Sequence, residues 1–443
     1  MNTFLFCVGI LAYTAAYAAT PFKTFLDDFV AGYKQLPIPD FTYDYRDYFS
    51  AIPSMDVLEK QEEFFTKEKE GAAAYSPDAM PLAERIDYEQ LQYEIAFNLQ
   101  RVALEKKWVR QGRHIPAGGL HDLPDYKEWY SYFIKRYTSV DITPEHVYDF
   151  GTSEVKRVKA EIQAIQTRLG FPDSGSFYEY LQRDTFYITD KQMLISLFEQ
   201  VDSIVRAHLP AFIGDVPLPV VYPMEWPDAG PNTPPGIYLN RDNNSYGKDV
   251  FQFNFYGGRY NRRTIEWLYM HEAIPGHHLQ SSLWRMYGDT TGLQSLFIYP
   301  GNFEGWACYV EYLGKEFGLY RDPYSYLGKW EWDLVRSARL VMDAGIHYYG
   351  WTHDEALAYW KKTIPGQDDI AEREVTRVTN WTGQALSYKI GADYLEKIRK
   401  RIEEKYPGTF DEKRFHRTFL SFGDIPMEII GKNFEDKYLA LGK

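Results

Sequence analysis

Three of the ten histidines of this chain fall within eight residues, in the segment Tyr269-Met270-His271-Glu272-Ala273-Ile274-Pro275-Gly276-His277-His278-Leu279-Gln280. Imidazole and carboxylate are ligands of zinc-class metals, and a Glu beside a liganding His is placed to take a proton from a polarised water. The short zinc helix carries its imidazoles four residues apart on one face, but here the residue four after His271 is Pro275. The spacing is instead six residues to His277 or seven to His278. On a straight helix six residues rotate the side chain by about 240°, and seven bring it back to the same face about 10 Å further along. Neither pair shares a cation unless the helix breaks. Pro275-Gly276 supplies the break, because Pro removes a backbone donor and Gly frees the chain. The expectation is that two extra residues are absorbed there and that His277, ahead of His278, rejoins His271.

A third ligand is found downstream, in Asn302-Phe303-Glu304-Gly305-Trp306-Ala307-Cys308-Tyr309-Val310-Glu311. Glu304 follows His277 by 27 residues, enough for a turn and a second helix packed on the first. A Glu so placed completes the two-His-plus-Glu set of zinc hydrolases. Glu311, seven residues on, shares its face and is placed to hold an imidazole N–H. The expected set is therefore His271, His277 and Glu304 around one Zn2+, with Glu272 as general base. Other divalent metals suit the same ligands.

The elements that must position these residues are mostly helical. Apolar periodicity predicts helices over 84–110, 144–169, 191–209, 259–274, 324–349 and 384–403. The second has the clearest ends, with Thr143 as N-cap and Gly170 past its last turn. Only 217–258, rich in Pro and Gly, reads as strand, in Val220-Tyr222, Ile237-Asn240 and Val250-Phe255. The last of these alternates Phe with polar residues, the pattern of a strand with one apolar face, which is either a capped structural strand or an edge able to add an extended peptide. The fold class expected is mainly α: one large helical domain with a small sheet just before the metal-binding helix.

Composition sets the outer limits. Of 443 residues, 49 are Lys or Arg and 62 Asp or Glu, a formal charge of −13, with 45% apolar residues. That balance excludes collagen-like, disordered and polytopic membrane classes, and the acidic surplus argues against nucleic acid as partner. Residues 1–18 read as a signal peptide, with an apolar Phe4–Ala16 and the small-x-small pattern Ala16-Tyr17-Ala18. The mature chain, 19–443, is then secreted, or periplasmic in a bacterium. It has no stretch long enough to span a bilayer. Its one remaining cysteine, Cys308, reads as a buried, inert thiol.

The segment His271 to Gln280, followed by Glu304-Gly305-Trp306-Ala307, resembles the family of domain of unknown function 885. The resemblance continues through Arg339-Leu340-Val341-Met342-Asp343-Ala344-Gly345-Ile346-His347 and Gly383-Gln384-Ala385-Leu386-Ser387-Tyr388-Lys389-Ile390-Gly391. It ends with Phe415-His416, Gly423 and Pro426, so the matching blocks span about 264–430. The resemblance implies a helical, zincin-like metallohydrolase akin to zinc carboxypeptidases and oligopeptidases, with a peptide as substrate.

A peptidase also needs a donor for the oxyanion, and Tyr388 and His347 are the candidates. Gln384 shares a helix face with Tyr388. Arg339 is placed either to pair with Asp343 or to bind a substrate carboxylate, which would make the enzyme a carboxypeptidase; Lys389 and Arg377 are weaker versions of the same idea. Two other classes compete: a helical di-metal redox protein, and a secreted protein that only sequesters metal. The first wants a Glu-x-x-His on each of two helices, which is missing around His271 and Glu304.

Overall fold

The computed structural model describes residues 21–39, 42–112, 114–287 and 291–442. The expected signal peptide, 1–18, lies outside these. Helix makes up 66% and strand 4%, so the chain is mainly α. Among the described residues no helix is long and apolar enough to cross a membrane.

The helix Pro323–His347 is the axis of the fold. Nearly all of its residues are buried, the condition of a helix enclosed by others. The helix Pro144–Arg168 packs along it. Gly151 permits the approach, since a Cβ there would run into Leu340 and Val341. Its ends are those the sequence demands: Thr143 accepts from the His146 N–H, and Gly170 takes φ 82°.

A second crossing is tighter. The helix Pro300–Tyr312 meets the helix Leu386–Lys405 backbone to backbone, and a Cβ on Gly305 would stand 2.6 Å from Gly391. Glu304 is next to this contact and Tyr388 one turn from it. The crossing therefore fixes how far apart these two side chains stand.

The sheet decides between the two readings of the Phe-rich strand. Val250–Phe253 is its central strand, parallel to Tyr222–Glu225 and antiparallel to Gly236–Leu239, with all four residues buried. Having partners on both sides, it has no free edge to offer a peptide. The two edges are Tyr222–Glu225 and Gly236–Leu239, and it is Gly236–Leu239 that lies against the helix Ile265–Glu272. The helix expected from Arg259 begins only at Ile265, because Tyr260–Asn261 pairs with Tyr187–Ile188 and a 3-10 turn follows.

Candidate metal centre

The helix Ile265–Glu272 stops directly after the His-Glu pair. Ala273 leaves helical backbone at φ −101°, ψ −108°, the Ile274–Pro275 bond is cis, and a new helix runs from His277 to Tyr287. Gly276 rests on the carbonyls of Met270 and His271, where any Cβ would collide. Trp306 Nε1 donates to the Pro275 carbonyl at 2.8 Å and so ties the break to the Glu304 helix. Gln280 Nε2 adds a bond to Asn302 Oδ1 at 3.1 Å, and Asn302 in turn donates to the carbonyls of Gly423 and Ile425. The Gly423 block is thus a brace for the break.

The break brings His271 and His277 ring to ring, centroids 4.7 Å apart and planes at 80°. Both Nε2 atoms lie 3.4 Å from Glu304 Oε2. Ligand atoms of all three residues fall within 4.8 Å of one another. Glu304 Oε2 is buried and closes no hydrogen bond. At 3.4 Å the imidazoles act on it by charge more than by aligned bonds. Two imidazole nitrogens and an orphaned carboxylate oxygen converging in a buried site fit a tetrahedral cation with one position left open. Burial opposes the charge on Glu304, yet the two imidazoles outweigh it and hold the carboxyl far below its usual range. His277 is further held by stacking on Phe303, centroids 3.9 Å apart.

Behind His271 lies a second pair of charges. Its Nδ1–H donates to Glu311 Oε1 at 2.7 Å, and Arg336 Nη1 donates to Glu311 Oε2 at 2.7 Å. A proton on Nδ1 leaves the Nε2 lone pair facing Glu304 and His277. His271, Cys308 and Glu311 also bring ligand atoms together. That cluster already contains the Arg336 guanidinium, and burial pushes the Cys308 thiol up, so a second cation there would meet a fixed positive charge. This counts against the di-metal reading.

Glu272 is anchored by the edge strand, its Oε2 accepting from the Tyr238 N–H at 2.8 Å. Among the described residues Oε1 has no hydrogen-bond partner. Burial raises the carboxyl, His271 and His277 pull it back, and Glu304 adds to the rise. The cluster opens on a cavity of about 740 Å³ lined also by Tyr388, Gln384, Arg339 and Arg377. Tyr388 stacks near His271, ring centroids 6.3 Å apart. Its oxygen accepts from Arg377 Nη2 and Gln384 Nε2, both at 3.2 Å. With its lone pairs engaged, the hydroxyl proton is free to donate into the cavity.

Other expected residues are not brought here. His278 turns away, its Nε2 2.8 Å from the Pro219 carbonyl, and burial lowers its pKa to about 4. His347 has both nitrogens occupied by backbone, Nδ1 accepting from the Leu120 N–H and Nε2 facing the Val378 carbonyl, each at 3.1 Å. Burial lowers its pKa to about 4, so it is a packed neutral imidazole with no proton for an oxyanion. Lys389 points to the opposite side of its helix, where its ammonium is held by Asp333 at 2.7 Å and by Glu154. Arg339 lines the cavity, but it pairs with Glu374 at 2.7 Å and not with Asp343, which accepts from Tyr130 and Gly383. Sequence reasoning missed Arg336, Arg373 and Glu374. Their spacing looks like any charged helix face, and only the burial of Glu374 and Arg336 sets them apart.

Fold and cluster together define a helical protein with a buried His-His-Glu centre at the wall of a cavity lined by aromatic, apolar and charged side chains. The chain belongs to the family of bacterial proteins of unknown function DUF885, whose model matches residues 103–433. The family thus reaches well upstream of the blocks at 264–430, into the N-terminal helices. The structure is similar to that of a candidate lipoprotein from Colwellia psychrerythraea, with 23% identity, a TM-score of 0.68, and coverage of 89% of this chain and 72% of that one. It is also similar to a candidate lipoprotein of unknown function from Shewanella oneidensis, with 19% identity, a TM-score of 0.61, and coverage of 88% and 81%. These likenesses show a common fold. No curated protein matches the chain.

Proposed function

We propose that this protein is a metallohydrolase that cleaves amide bonds in peptides, with His271, His277 and Glu304 holding one zinc ion. The observation that carries the reading is the convergence of both Nε2 atoms on Glu304 Oε2, with Glu272 beside them and Tyr388 across the ring of His271. Zinc in such a ligand set supplies a Lewis acid that polarises water and carbonyl alike. Glu272 takes the proton of the attacking water through its unpartnered Oε1 and passes it to the leaving amine. Tyr388 donates its hydroxyl proton to the developing oxyanion, a contribution of roughly 3 kcal/mol for a well-aligned donor. Its two donors, Arg377 and Gln384, fix the direction of that proton.

The apolar leader and its Ala16-Tyr17-Ala18 site support export, with cleavage after residue 18 and a single hydrolase domain from 19 to 443 outside the cytoplasm. The test is metal analysis of the purified chain together with a peptide-library digest read by mass spectrometry. One zinc-class ion per chain and amide cleavage are expected, and Glu272→Gln should keep the ion while losing about 100-fold or more of the turnover. A chain that binds no divalent cation, or a Glu272→Gln variant as active as the parent, refutes the proposal.

A further inference from the structure

One wall of the cavity carries more positive charge than the orientation of Tyr388 requires. Arg339, Arg373 and Arg377 line it, and among the described residues Glu374 is the carboxylate hydrogen-bonded to this group, while Glu272 and Glu304 line the same cavity. Both oxygens of Glu374 are already engaged: Oε2 by Arg339 Nε at 2.7 Å, Oε1 by Arg373 Nη2 at 2.9 Å. Among the described residues Arg377 donates to neutral groups, Gln384 Oε1 at 2.9 Å and the Tyr388 hydroxyl, and its buried Nε has no partner. Arg339 is 1% exposed, and among the described residues neither of its Nη groups has a protein partner. Three guanidiniums thus share one hydrogen-bonded carboxylate along a wall where Arg339 is buried and Arg373 and Arg377 are half-buried. Buried charge left uncompensated is costly, and a planar guanidinium fork is the natural receptor for a carboxylate.

Place matters as much as charge. The Cζ atoms of Arg339 and Arg377 lie 6.0 and 5.9 Å from the centre of the Tyr388 ring, which itself stacks 6.3 Å from His271. One side chain separates the guanidiniums from the cluster, and one residue of substrate advances about 3.8 Å.

We infer that Arg377 and Arg339 form a carboxylate subsite, so that the cavity accepts a peptide or acylated amino acid whose free carboxylate lies within a residue or two of the bond cut. The inference rests on the hydrolytic reading and names its substrate class. Two groups carry that chemistry, a C-terminal carboxylate and an Asp or Glu side chain beside the scissile bond.

The test is calorimetric titration of the full chain, metal-free and zinc-loaded, with N-acetyl-phenylalanine, its amide, and N-acetyl-glutamic acid α-amide, in which only the side-chain carboxylate is free. The free acid should bind about 10- to 100-fold more tightly than the amide, the span expected of charge-assisted hydrogen bonds. Arg377→Gln should erase most of that preference. Arg339→Lys, which keeps the charge against Glu374 but loses the fork, should weaken it. Circular dichroism and thermal unfolding verify that both variants are folded. Tighter binding of the glutamic acid α-amide than of N-acetyl-phenylalanine assigns the subsite to a side-chain carboxylate. Equal binding of acid and amide, no binding by any ligand, or a preference unmoved in Arg377→Gln overturns the inference. Selective binding with no peptide cleavage sinks the hydrolase alone, and cleavage without selectivity sinks the subsite alone.

Discussion

Replacing Glu311 with Gln asks whether the cluster is held in working order by the charges behind it. Glu311 accepts from His271 Nδ1 on one oxygen and from Arg336 Nη1 on the other, both at 2.7 Å, and all three side chains are buried. A Gln of the same shape can satisfy only one of them, because its amide nitrogen donates. If the amide oxygen stays with His271, Arg336 faces an NH2 and loses its counter-ion. If the oxygen turns to Arg336, the NH2 faces His271 and drives the ring proton to Nε2, the nitrogen that looks at Glu304 and His277. One task fails either way.

The magnitudes separate the two failures. Removing one partner of a buried ion pair costs about 3–5 kcal/mol of stability. Removing the acceptor behind a liganding imidazole weakens metal binding by about 10- to 100-fold. Zinc affinity is read by competition with a chromophoric chelator, and stability by urea unfolding of the metal-free chain. Glu311→Gln should lose in at least one of these by those amounts. Adding Arg336→Met should recover stability, since no charge is then stranded, without recovering affinity. A Glu311→Gln chain that binds zinc as the parent does and unfolds at the same urea concentration would refute the account.

Three further outcomes follow from the geometry. His277→Ala should lower zinc affinity by more than the ~100-fold that a lost supporting bond costs, whereas His278→Ala should leave affinity unchanged and lower only stability; the same chelator competition reads both. Asp424 is half-buried, its Oδ1 enclosed and unpartnered among the described residues, and loss of solvent around the carboxyl raises its pKa from 3.8 to about 8. A raised folded-state value means that its contribution is full below pH 3.8 and is lost as pH climbs to about 8. Asp424→Asn should therefore gain stability over the parent progressively across that window and level off above it, measured by urea midpoints at several pH values; a gap that does not change with pH would contradict the assignment. Gly305→Ala places a Cβ 2.6 Å from Gly391, so the two helices must part. Overpacking of this kind costs about 1–3 kcal/mol, and zinc affinity should fall with it as Glu304 shifts; a variant unchanged in both measurements would mean the crossing does not set the site.

What the sequence revealed was local in origin. Thr143 and Gly170 mark the ends of their helix because capping needs only neighbours in the chain. The interruption at Pro275-Gly276 was legible for the same reason. The choice between His277 and His278 was not, because it turns on the Pro219 carbonyl claiming His278 from 59 residues away. Strand order was equally hidden, since alternation in Val250–Phe253 does not say whether one edge is paired or two. Arg339 sits one turn from Asp343, which suggested a pair, yet its partner comes from another helix altogether. Lys389 and His347 share helices with residues of the matching blocks, but each points to the other side; in the His347 helix nearly every residue is buried, so spacing does not tell one face from another, and Lys389 is buried by Asp333 and Glu154 from other helices.

Two charges in the cavity stand out once these pairings are drawn. Glu311 has Arg336, and Glu374 has Arg339 and Arg373. Glu304 Oε2 closes no bond, and Arg377 meets no carboxylate. They are of opposite sign and flank the same tyrosine, Tyr388, whose ring lies by His271 and whose oxygen receives Arg377. Desolvating either charge alone is unfavourable, so a fold that keeps both gains most from ligands of the complementary sign. On the reading proposed above, a cation at Glu304 and a substrate carboxylate at Arg377 satisfy both at once. A substrate so gripped presents its bond to Glu272 in one direction only, which gives the cavity polarity as well as affinity.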